Sequence, residues 1–405
     1  MIVADVSDYR WLVSGEAAPF LNAPEAVTAS PAAVASLRKS LPAERAALVL
    51  ETARLRLRAA TKFGDVASAM FFTARGLEQA TDRTVAAYKA GRFVQGASVA
   101  DLCSGIGGDL AALAGRGPCR GVDVDPRIGI LAEANVRAQA GASEFIDRFV
   151  MIDGRVESQH ISDVGAWHID PDRRPDGRRT TRVELHEPSL EQLESLRQIN
   201  GNAAIKLAPA AELPEAWLAE CEAEWIGRDG ECKQLVVWFG DLARHGSRRC
   251  ATIVDDPLRV RTVVGRGDAR MSHAEQIGRY LFEPHAAVLA ADLAADLACE
   301  HGLDALIPGG GYLTGDRPIV DDGALAAFEV VDSMPFDRRK VREWLAARNV
   351  GRLEIKKRGV EIDLERLRRE LRLHGDAPGC LILLRRSDRV TAVLALRIAA
   401  PPAAS

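Results

Sequence analysis

The chain has 405 residues, of which 47% are hydrophobic and 27% are charged, and its formal net charge is −4. This length allows two or three domains of roughly 100–200 residues each, and the composition is that of a globular protein. No run of about 18 uncharged apolar residues is present, and the N-terminus lacks the basic start and apolar stretch of a signal peptide. We therefore expect a cytoplasmic protein that does not enter a membrane.

The seven cysteines stand singly along the chain, with no Cys-x-x-Cys pair. An odd number of scattered cysteines predicts neither a disulfide framework nor a zinc site. We therefore expect reduced thiols and no bound metal.

The charge is distributed unevenly along the chain. Residues 336–398 hold 17 Lys and Arg against 9 Asp and Glu, a net charge of +8, which leaves about −12 on residues 1–335. A basic terminal module favours a polyanionic partner, because contacts to phosphates supply most of the sequence-independent affinity for nucleic acids. The alternative is that arginines such as Arg366 and Arg369 only keep one helix face solvated.

Residues 1–95 have helical periodicity and few strand signals, which predicts a helical N-terminal domain. Its aromatic segment Met70–Phe72 is typical of core packing. Thr73 follows as a candidate helix cap, and a further helix is predicted at Asp82–Arg92, directly before the first strand.

A predicted strand at Val99–Cys103 runs into a glycine turn that opens a helix. Gly105 and Gly107 lack a Cβ, so the backbone can adopt positive φ and approach a ligand closely, beside the unpaired N–H groups of the helix start. Asp101 brings a carboxylate to the same crevice. The pattern indicates a cofactor loop, although a G-x-G turn also occurs in dinucleotide and phosphate loops.

The second predicted strand, Arg120–Val124, ends in Asp123, about twenty residues after the first strand. That spacing lets a carboxylate reach a ribose diol across the switch point of a parallel sheet. The glycine spacing, G-I-G-G-D, differs from the G-x-G-x-x-G of NAD-binding loops, so NAD is the less favoured ligand. A glycine turn without any cofactor is the remaining alternative.

Three stretches together carry a family resemblance: D-x-C-x-G-x-G-G-D at 101–109, G-V-D-x-D-P at 121–126, and A-x-x-N at 132–135. They resemble the class I methyltransferases that depend on S-adenosylmethionine. The resemblance implies that Asp101, Gly105 and Gly107 hold the methionine part of the cofactor, with Thr73 on the segment that covers it. It also implies that Asp123 binds the ribose and Asp153 the adenine, whereas the alternative for Asp153 is a turn residue before Gly154.

The strands between residues 96 and 265 match such a domain in number. Seven are predicted, which suits an α/β fold with a Rossmann-like seven-stranded methyltransferase sheet: Val99–Cys103, Arg120–Val124, Asp147–Ile152, Ala166–Asp170, Ala203–Leu207, Gln234–Phe239 and Cys250–Val254.

The fourth strand ends in Asp170-Pro171, in the slot of the catalytic motif of methyltransferases that act on exocyclic amines. There a side-chain oxygen and a backbone carbonyl accept hydrogen bonds from the amine, and proline stiffens the backbone. Asp172 stands where that motif has a second proline. Arg173 and Arg174 replace its aromatic residue. The sequence therefore indicates the substrate less clearly than it indicates the family.

Several cations are candidates for substrate contact. Arg173 and Arg174 can form bidentate hydrogen bonds to phosphates, or they can pair with nearby acidic residues in a structural network. Lys206, on the fifth strand, borders the same pocket, or it is a strand-end lysine whose ammonium reaches water. His168 is interpreted as a core histidine with a satisfied partner.

A connecting region at 266–325, which contains the plain turn Gly309–Gly311, leads into a module at 326–398 with the order β-α-β-α-β-β. The phrase L-E-I-K-K-R-G-V at 353–360, with Tyr312-Leu313-Thr314 and the segment around Phe72-Thr73, resembles bacterial methyltransferases that carry a THUMP-like C-terminal domain. This resemblance spans residues 60–398 and implies an RNA substrate, with Lys356 and Lys357 as candidate contacts.

The core also resembles trimethylguanosine synthase, whose cap-stacking Pro-Pro-Trp is absent here. We therefore predict an S-adenosylmethionine-dependent methyltransferase that acts on an RNA base, with an exocyclic nitrogen as the candidate acceptor. Two alternatives stay open. One is a methyltransferase acting on a protein or a small molecule, and the other is an RNA-binding protein that is not an enzyme and keeps a relic cofactor site.

Overall fold

The computed structural model describes residues 4–23, 30–140, 146–172, 180–256, 259–386 and 388–398. The chain forms two compact units: Met1–Ala223 with Leu235–Ser247, and Glu224–Gln234 with Arg248–Ser405. The division into four parts at residues 95, 265 and 325 stays a prediction. No helix in the described ranges is both long and apolar enough to span a bilayer.

The N-terminal part of the first unit is helical, as predicted. Thr73 and Asp82 cap two of its helices, because their side chains accept hydrogen bonds from the first backbone N–H groups. A buried apolar stripe that includes Val49, Leu55 and Phe63 packs the longest helix into a common core. The described helices here are α1 (Val6–Val13), α2 (Ala18–Leu21), α3 (Pro31–Ser40), α4 (Ala43–Phe63), α5 (Ala74–Gln79) and α6 (Arg83–Ala90).

A predominantly parallel sheet follows. Its strands are β1 (Val99–Leu102), β2 (Cys119–Asp123), β3 (Phe149–Asp153), β4 (Ala166–Ile169), β5 (Ala203–Leu207), β6 (Glu222–Arg228) and β7 (Glu231–Trp238). They lie in the order β3-β2-β1-β4-β5-β7-β6, and β7 is antiparallel to β5. The helices α7 (Gly108–Ala114), α8 (Pro126–Ala140), α9 (Leu190–Ile199) and α10 (Glu215–Leu218) connect them. The strand order reverses between β1 and β4, where open α/β sheets bind their ligands at the carboxyl ends of the strands.

The predicted set of strands needs one correction. Strand β6 was not predicted, because its alternating residues Glu222 and Glu224 interrupt the apolar pattern although both are fully buried. The strand predicted at Cys250–Val254 is β8 (Arg249–Asp256), which forms an antiparallel hairpin with β9 (Arg259–Gly265). In the strand order, β8 and β9 follow β6, so the strand predicted at Cys250–Val254 belongs to this sheet, whose described strands number nine and not seven.

The second unit contains another sheet. Its strands are β10 (Tyr280–Pro284), β11 (Asp304–Ala305), β12 (Leu313–Gly315), β13 (Leu325–Pro335), β14 (Val350–Arg358), β15 (Ala377–Arg386) and β16 (Arg389–Arg397). They lie in the order β11-β12-β10-β13-β16-β15-β14. The helices are α11 (Ala286–Ala290), α12 (Ala294–His301), α13 (Arg338–Ala346) and α14 (Leu364–Leu371). The order predicted for the last module, β-α-β-α-β-β, is confirmed from β13 to β16.

A buried ion pair accounts for the acid in β6. Arg92 Nη2 lies 2.6 Å from Glu222 Oε1, with the side chains 2% and 0% exposed. The other oxygen, Oε2, accepts hydrogen bonds from the backbone N–H groups of Arg244 and His245. Although burial opposes ionisation, these partners lower the pKa of Glu222 below its usual value. Glu222 is therefore a buried carboxylate that depends on Arg92.

We expect Arg92→Met to lower the free energy of unfolding by about 3–5 kcal/mol, because it leaves a buried charge without its partner. The double variant Arg92→Met/Glu222→Gln removes both charges and should recover part of the loss. Urea unfolding measures both effects. Equal stability of the single and double variants would contradict this account.

The same pair predicts a dependence on pH. Because folding lowers the pKa of Glu222, its contribution is fully present above the unfolded value of about 4.3 and is lost as the pH falls through the folded value. The wild-type protein should therefore lose more stability on acidification than the double variant does.

Candidate active site

The glycine loop joins β1 to α7. Gly105 and Gly107 have φ values of 55° and 85°, and Gly107 is the N-cap residue of α7. A Cβ on Gly107 would lie 3.3 Å from the carbonyl oxygen of Ala132, whereas a Cβ on Gly105 would have nothing within 4 Å. The loop is thus tightly packed at Gly107 and open at Gly105, where a ligand can approach the backbone.

Asp123, at the end of β2, is bonded to this loop. Its Oδ2 accepts from the Gly105 N–H at 2.9 Å, and its Oδ1 accepts from the Asp125 N–H at 3.1 Å. Burial raises the pKa of Asp123, against the lowering effect of these hydrogen bonds. Asp153 is its partner in register at the end of β3 and is exposed. Both predicted cofactor acids therefore lie at neighbouring strand ends.

Asn135, which is completely buried in α8, ties the segment before α5 to the glycine loop. Its Oδ1 accepts from the Phe71 N–H at 2.7 Å, and its Nδ2 donates to the carbonyls of Phe71 at 2.8 Å and Ile106 at 2.9 Å. Thr73, two residues on, caps α5 by accepting from the Gly76 N–H at 3.0 Å. The sequence motif A-x-x-N contained Asn135, but its role in holding this segment was not predicted.

Asp101 is 1% exposed. Its Oδ1 lies 2.6 Å from Nδ1 of His168, in agreement with the interpretation of His168 as a satisfied core histidine. Oδ2 has no hydrogen-bond partner among the residues that the structure describes. Burial raises the pKa of Asp101, against the lowering effect of His168. Two further buried charges near His168 were missed: Lys89 stands in no recognised motif, and Asp109 is the last residue of the motif at 101–109 but was given no role of its own.

The predicted acceptor motif lies at the end of β4. Asp170 Oδ2 is 2.5 Å from the Lys206 ammonium, with the Asp170 side chain 29% exposed, so two of the predicted site residues are in direct contact. Pro171 is buried. Asp172 forms an ion pair of 2.9 Å with Arg75 of α5. Arg173 and Arg174 lie outside the described residues.

The crevice at the ends of β1, β2 and β4 is acidic. Burial raises the pKa of the Cys103 thiol well above its usual value, and four nearby carboxylates raise it further: Asp123, Asp170, Asp101 and Asp172. Asp170 and Asp172 are paired with Lys206 and Arg75, whereas Asp101 and Asp123 have no lysine or arginine partner among the described residues. These two carboxylates favour a cationic ligand.

The two lysines predicted for substrate in the second unit have partners within the protein. Lys356 Nζ lies 2.7 Å from Oε2 of Glu283, and Lys357 Nζ donates to the Ile362 carbonyl at 2.7 Å. Their contact with substrate stays a prediction.

The chain is similar to known proteins over most of its length. A family model described as THUMP domain-like matches residues 325–397. Uncharacterized S-adenosylmethionine-dependent methyltransferases from two strains of Mycobacterium tuberculosis, CDC 1551 / Oshkosh and H37Rv, are each 33% identical over 351 residues, which are 84% of this chain and 93% of theirs. The crystal structure of an inferred methyltransferase from Porphyromonas gingivalis W83 shares the fold, with a TM-score of 0.76 and 19% identity over 98% of this chain and 100% of that one.

The fold and the two mycobacterial relatives together define an α/β methyltransferase. The chain belongs to the S-adenosylmethionine-dependent methyltransferases, with a THUMP-like domain at its C-terminus. The predicted fold class, enzyme class and cofactor are thereby confirmed, whereas the individual roles of Thr73, Asp101, Gly105, Gly107, Asp123, Asp153, Asp170 and Pro171 stay predictions.

The residues present fit this cofactor. S-adenosylmethionine carries an ammonium and a sulfonium and supplies a methyl group that is already strongly electrophilic. The buried Oδ2 of Asp101 lacks a partner among the described residues, and the backbone at Gly105 is open. We propose that Asp101 and the glycine loop bind the amino-acid part and that Asp123 binds the ribose. The chain's remaining task is alignment of the acceptor, which supplies most of the rate in such a transfer.

The role proposed for Asp123 can be tested by measuring S-adenosylhomocysteine binding by calorimetry. Asp123→Ala should weaken binding roughly 10- to 100-fold, because hydrogen bonds to a charged group contribute about 1.5–3 kcal/mol each. Asp125→Asn is the matched control, since Asp125 lies on the same loop but pairs with Arg127 at 2.7 Å. Equal losses in the two variants would argue against a specific role of Asp123.

Proposed function

We propose that this methyltransferase methylates RNA, at an exocyclic nitrogen of a base. The observation that carries the proposal is a set of exposed cations on the two helices of the THUMP-like domain. THUMP modules in general present RNA to a catalytic domain, and the match at 325–397 supports the same use here by analogy.

Helices α13 and α14 pack on one face of their sheet through buried residues such as Val341, Leu345, Leu367 and Leu371. Arg338 and Glu370 form an ion pair of 2.8 Å that joins the two helices. Five other cations on or beside these helices are exposed, and their side chains make no hydrogen bond or ion pair within the described part of the chain: Arg339, Lys340, Arg342, Arg369 and Arg372. Exposed side chains of this kind are available to phosphates.

The acceptor site supports a nitrogen atom as the target. Lys206 engages Oδ2 of Asp170, and no donor in the described ranges is bonded to Oδ1. That oxygen can accept an N–H from an amine, while Pro171 restricts the backbone beside it.

Methylation of a pyrimidine carbon is disfavoured by the same site. That chemistry uses a thiolate nucleophile, and the nearby cysteine is Cys103. Burial and the surrounding carboxylates raise the pKa of Cys103 well above its usual value, so this residue stays a neutral thiol.

The proposal is tested by transfer of labelled methyl from S-adenosylmethionine to total RNA from a strain that lacks this protein. We expect label in RNA, with the methylated nucleoside identified after digestion. Asp170→Ala should reduce transfer about 100-fold, because the acceptor loses its alignment, while cofactor binding persists. Asp172→Asn, which alters a neighbouring carboxylate paired with Arg75, should retain most of the activity.

Absence of label in RNA, with cofactor binding intact, would overturn the proposal and indicate a protein or small-molecule acceptor. Label that persists in Asp170→Ala would overturn the role of Asp170 only.

The helix cations can be tested by RNA binding at several salt concentrations. The triple variant Arg339→Ala/Arg342→Ala/Arg369→Ala should weaken binding and reduce the slope of log K against log salt by about one unit for each phosphate that is no longer bound. The triple variant Lys39→Ala/Arg54→Ala/Arg58→Ala removes three exposed cations from the N-terminal helices and should leave the slope unchanged. The same slope in both variants would exclude these helices as the RNA surface.

A further inference from the structure

A network of buried polar side chains extends from Asp101 into the interior of the first unit. Its members come from β1, β4, α6, α7 and the loop before α6, and all lie in the first unit: Asp101 (1% exposed), His168 (2%), Lys89 (2%), Asp109 (8%) and Thr81 (7%). Lys89, Asp109 and Thr81 have no part in the cofactor binding or the methyl transfer proposed above. Buried charges are costly unless each has a partner, so their arrangement calls for a function or a structural reason.

The contacts form a connected network, in which His168 Nε2 also lies 3.9 Å from Asp109 Oδ2. Asp101 Oδ1 lies 2.6 Å from His168 Nδ1, and His168 Nε2 lies 3.4 Å from the Lys89 ammonium. Lys89 forms an ion pair of 2.7 Å with Asp109 Oδ1. The hydroxyl of Thr81 donates to Asp109 Oδ2 at 2.7 Å.

These contacts assign the proton on His168. An ammonium only donates hydrogen bonds, so its contact with Nε2 requires that Nε2 accept. The imidazole is then neutral, with its proton on Nδ1, and donates to Oδ1 of Asp101. The charges of Lys89 and Asp109 cancel. Asp101 therefore carries the net negative charge of these five residues.

We propose that His168, held by Lys89 and Asp109, is a positioning residue that fixes Asp101 as a cation receptor and makes cofactor affinity dependent on pH. This inference rests on the proposed contact of Asp101 with the cofactor and is independent of the RNA substrate. A neutral histidine orients the carboxylate without cancelling its charge. The second oxygen, Oδ2, then meets the cationic part of the ligand.

The sign of the pH dependence follows from the surroundings of Asp101. Burial raises the pKa of Asp101, His168 and Lys89 lower it, and Asp109 raises it again. A bound cation lowers the pKa of this carboxyl, so binding releases a proton. Affinity should therefore rise with pH and level off above the pKa of the free protein. The ionisable groups that face Asp101 or influence its charge are His168 of β4, Lys89 of α6, Asp109 of α7, Cys119 of β2 and Cys103 of the loop.

The experiment is calorimetric binding of S-adenosylhomocysteine, without RNA, across a pH series and in two buffers with different heats of ionisation. The wild-type protein should release protons on binding at low pH and none on the plateau. His168→Leu removes the donor to Asp101 and should weaken binding at least tenfold. His168→Asn keeps an N–H donor at this position and should retain most of the affinity.

The double variant Lys89→Met/Asp109→Asn removes both inner charges and leaves no unpaired buried ion. Without the ammonium, Nε2 of His168 loses the donor that fixes its tautomer, so Asp101 is less well positioned and affinity should fall several-fold. Adding His168→Asn to the double variant should restore most of the affinity, because the amide N–H donates without support from Lys89.

A purely structural network would give a different result. If His168→Leu and the double variant lower the melting temperature but keep the wild-type affinity and pH profile, the proposal is overturned. If His168→Leu does not fold, the double and triple variants still decide, because wild-type affinity in the double variant would exclude a positioning role for the Lys89–Asp109 pair. Unchanged binding in Asp101→Asn would remove the contact on which the inference rests, and it would leave the RNA proposal untouched.

Discussion

The reversal of strand order between β1 and β4 is the constraint on which the site depends. Parallel strands bring their carboxyl ends to one edge of the sheet, and the reversal keeps the connecting helices from covering that edge. Asp101 and His168 are partners in register across this point, and Asp170 follows β4 directly. The cofactor loop and the acceptor motif therefore meet through topology, although about sixty residues separate them in the chain.

Much of this site was predictable because strand ends and glycine turns leave local signals. The loop at 105–108 and the acids at the ends of β2 and β3 stand where the sequence pattern predicts them. Strand β6 could not be predicted, because Glu222 and Glu224 are buried by partners distant in sequence, Arg92 and Thr252. A pattern of apolar residues cannot reveal an acid that is buried through an ion pair.

The same limit applies to the inner side chains. Asn135 was visible in the motif A-x-x-N, but its three hydrogen bonds join Phe71 and Ile106, which come together only in the folded chain. Lys89 carried no signal, because a helical lysine is an ordinary surface residue in most sequences. Asp109 was visible as the last residue of the motif at 101–109, but its ion pair with Lys89 forms only in the folded chain. Positioning residues are hard to predict for this reason: their partners, not their own identity, define them.

If the enzyme acts on RNA as we propose, electrostatics explains why its catalytic crevice and its basic C-terminal residues are separate parts of the chain. Asp101 and Asp123 in the crevice have no lysine or arginine partner among the described residues, which suits a cationic cofactor and disfavours phosphates. An RNA base can enter such a site only if its backbone is held by cations elsewhere, because phosphate contacts supply most of the affinity for nucleic acids. The sequence separates positive from negative charge in this way, because residues 336–398 have a net charge of +8 and the rest of the chain has about −12. The acidic site then favours a neutral base over the charged backbone, so charge itself contributes to the choice of acceptor.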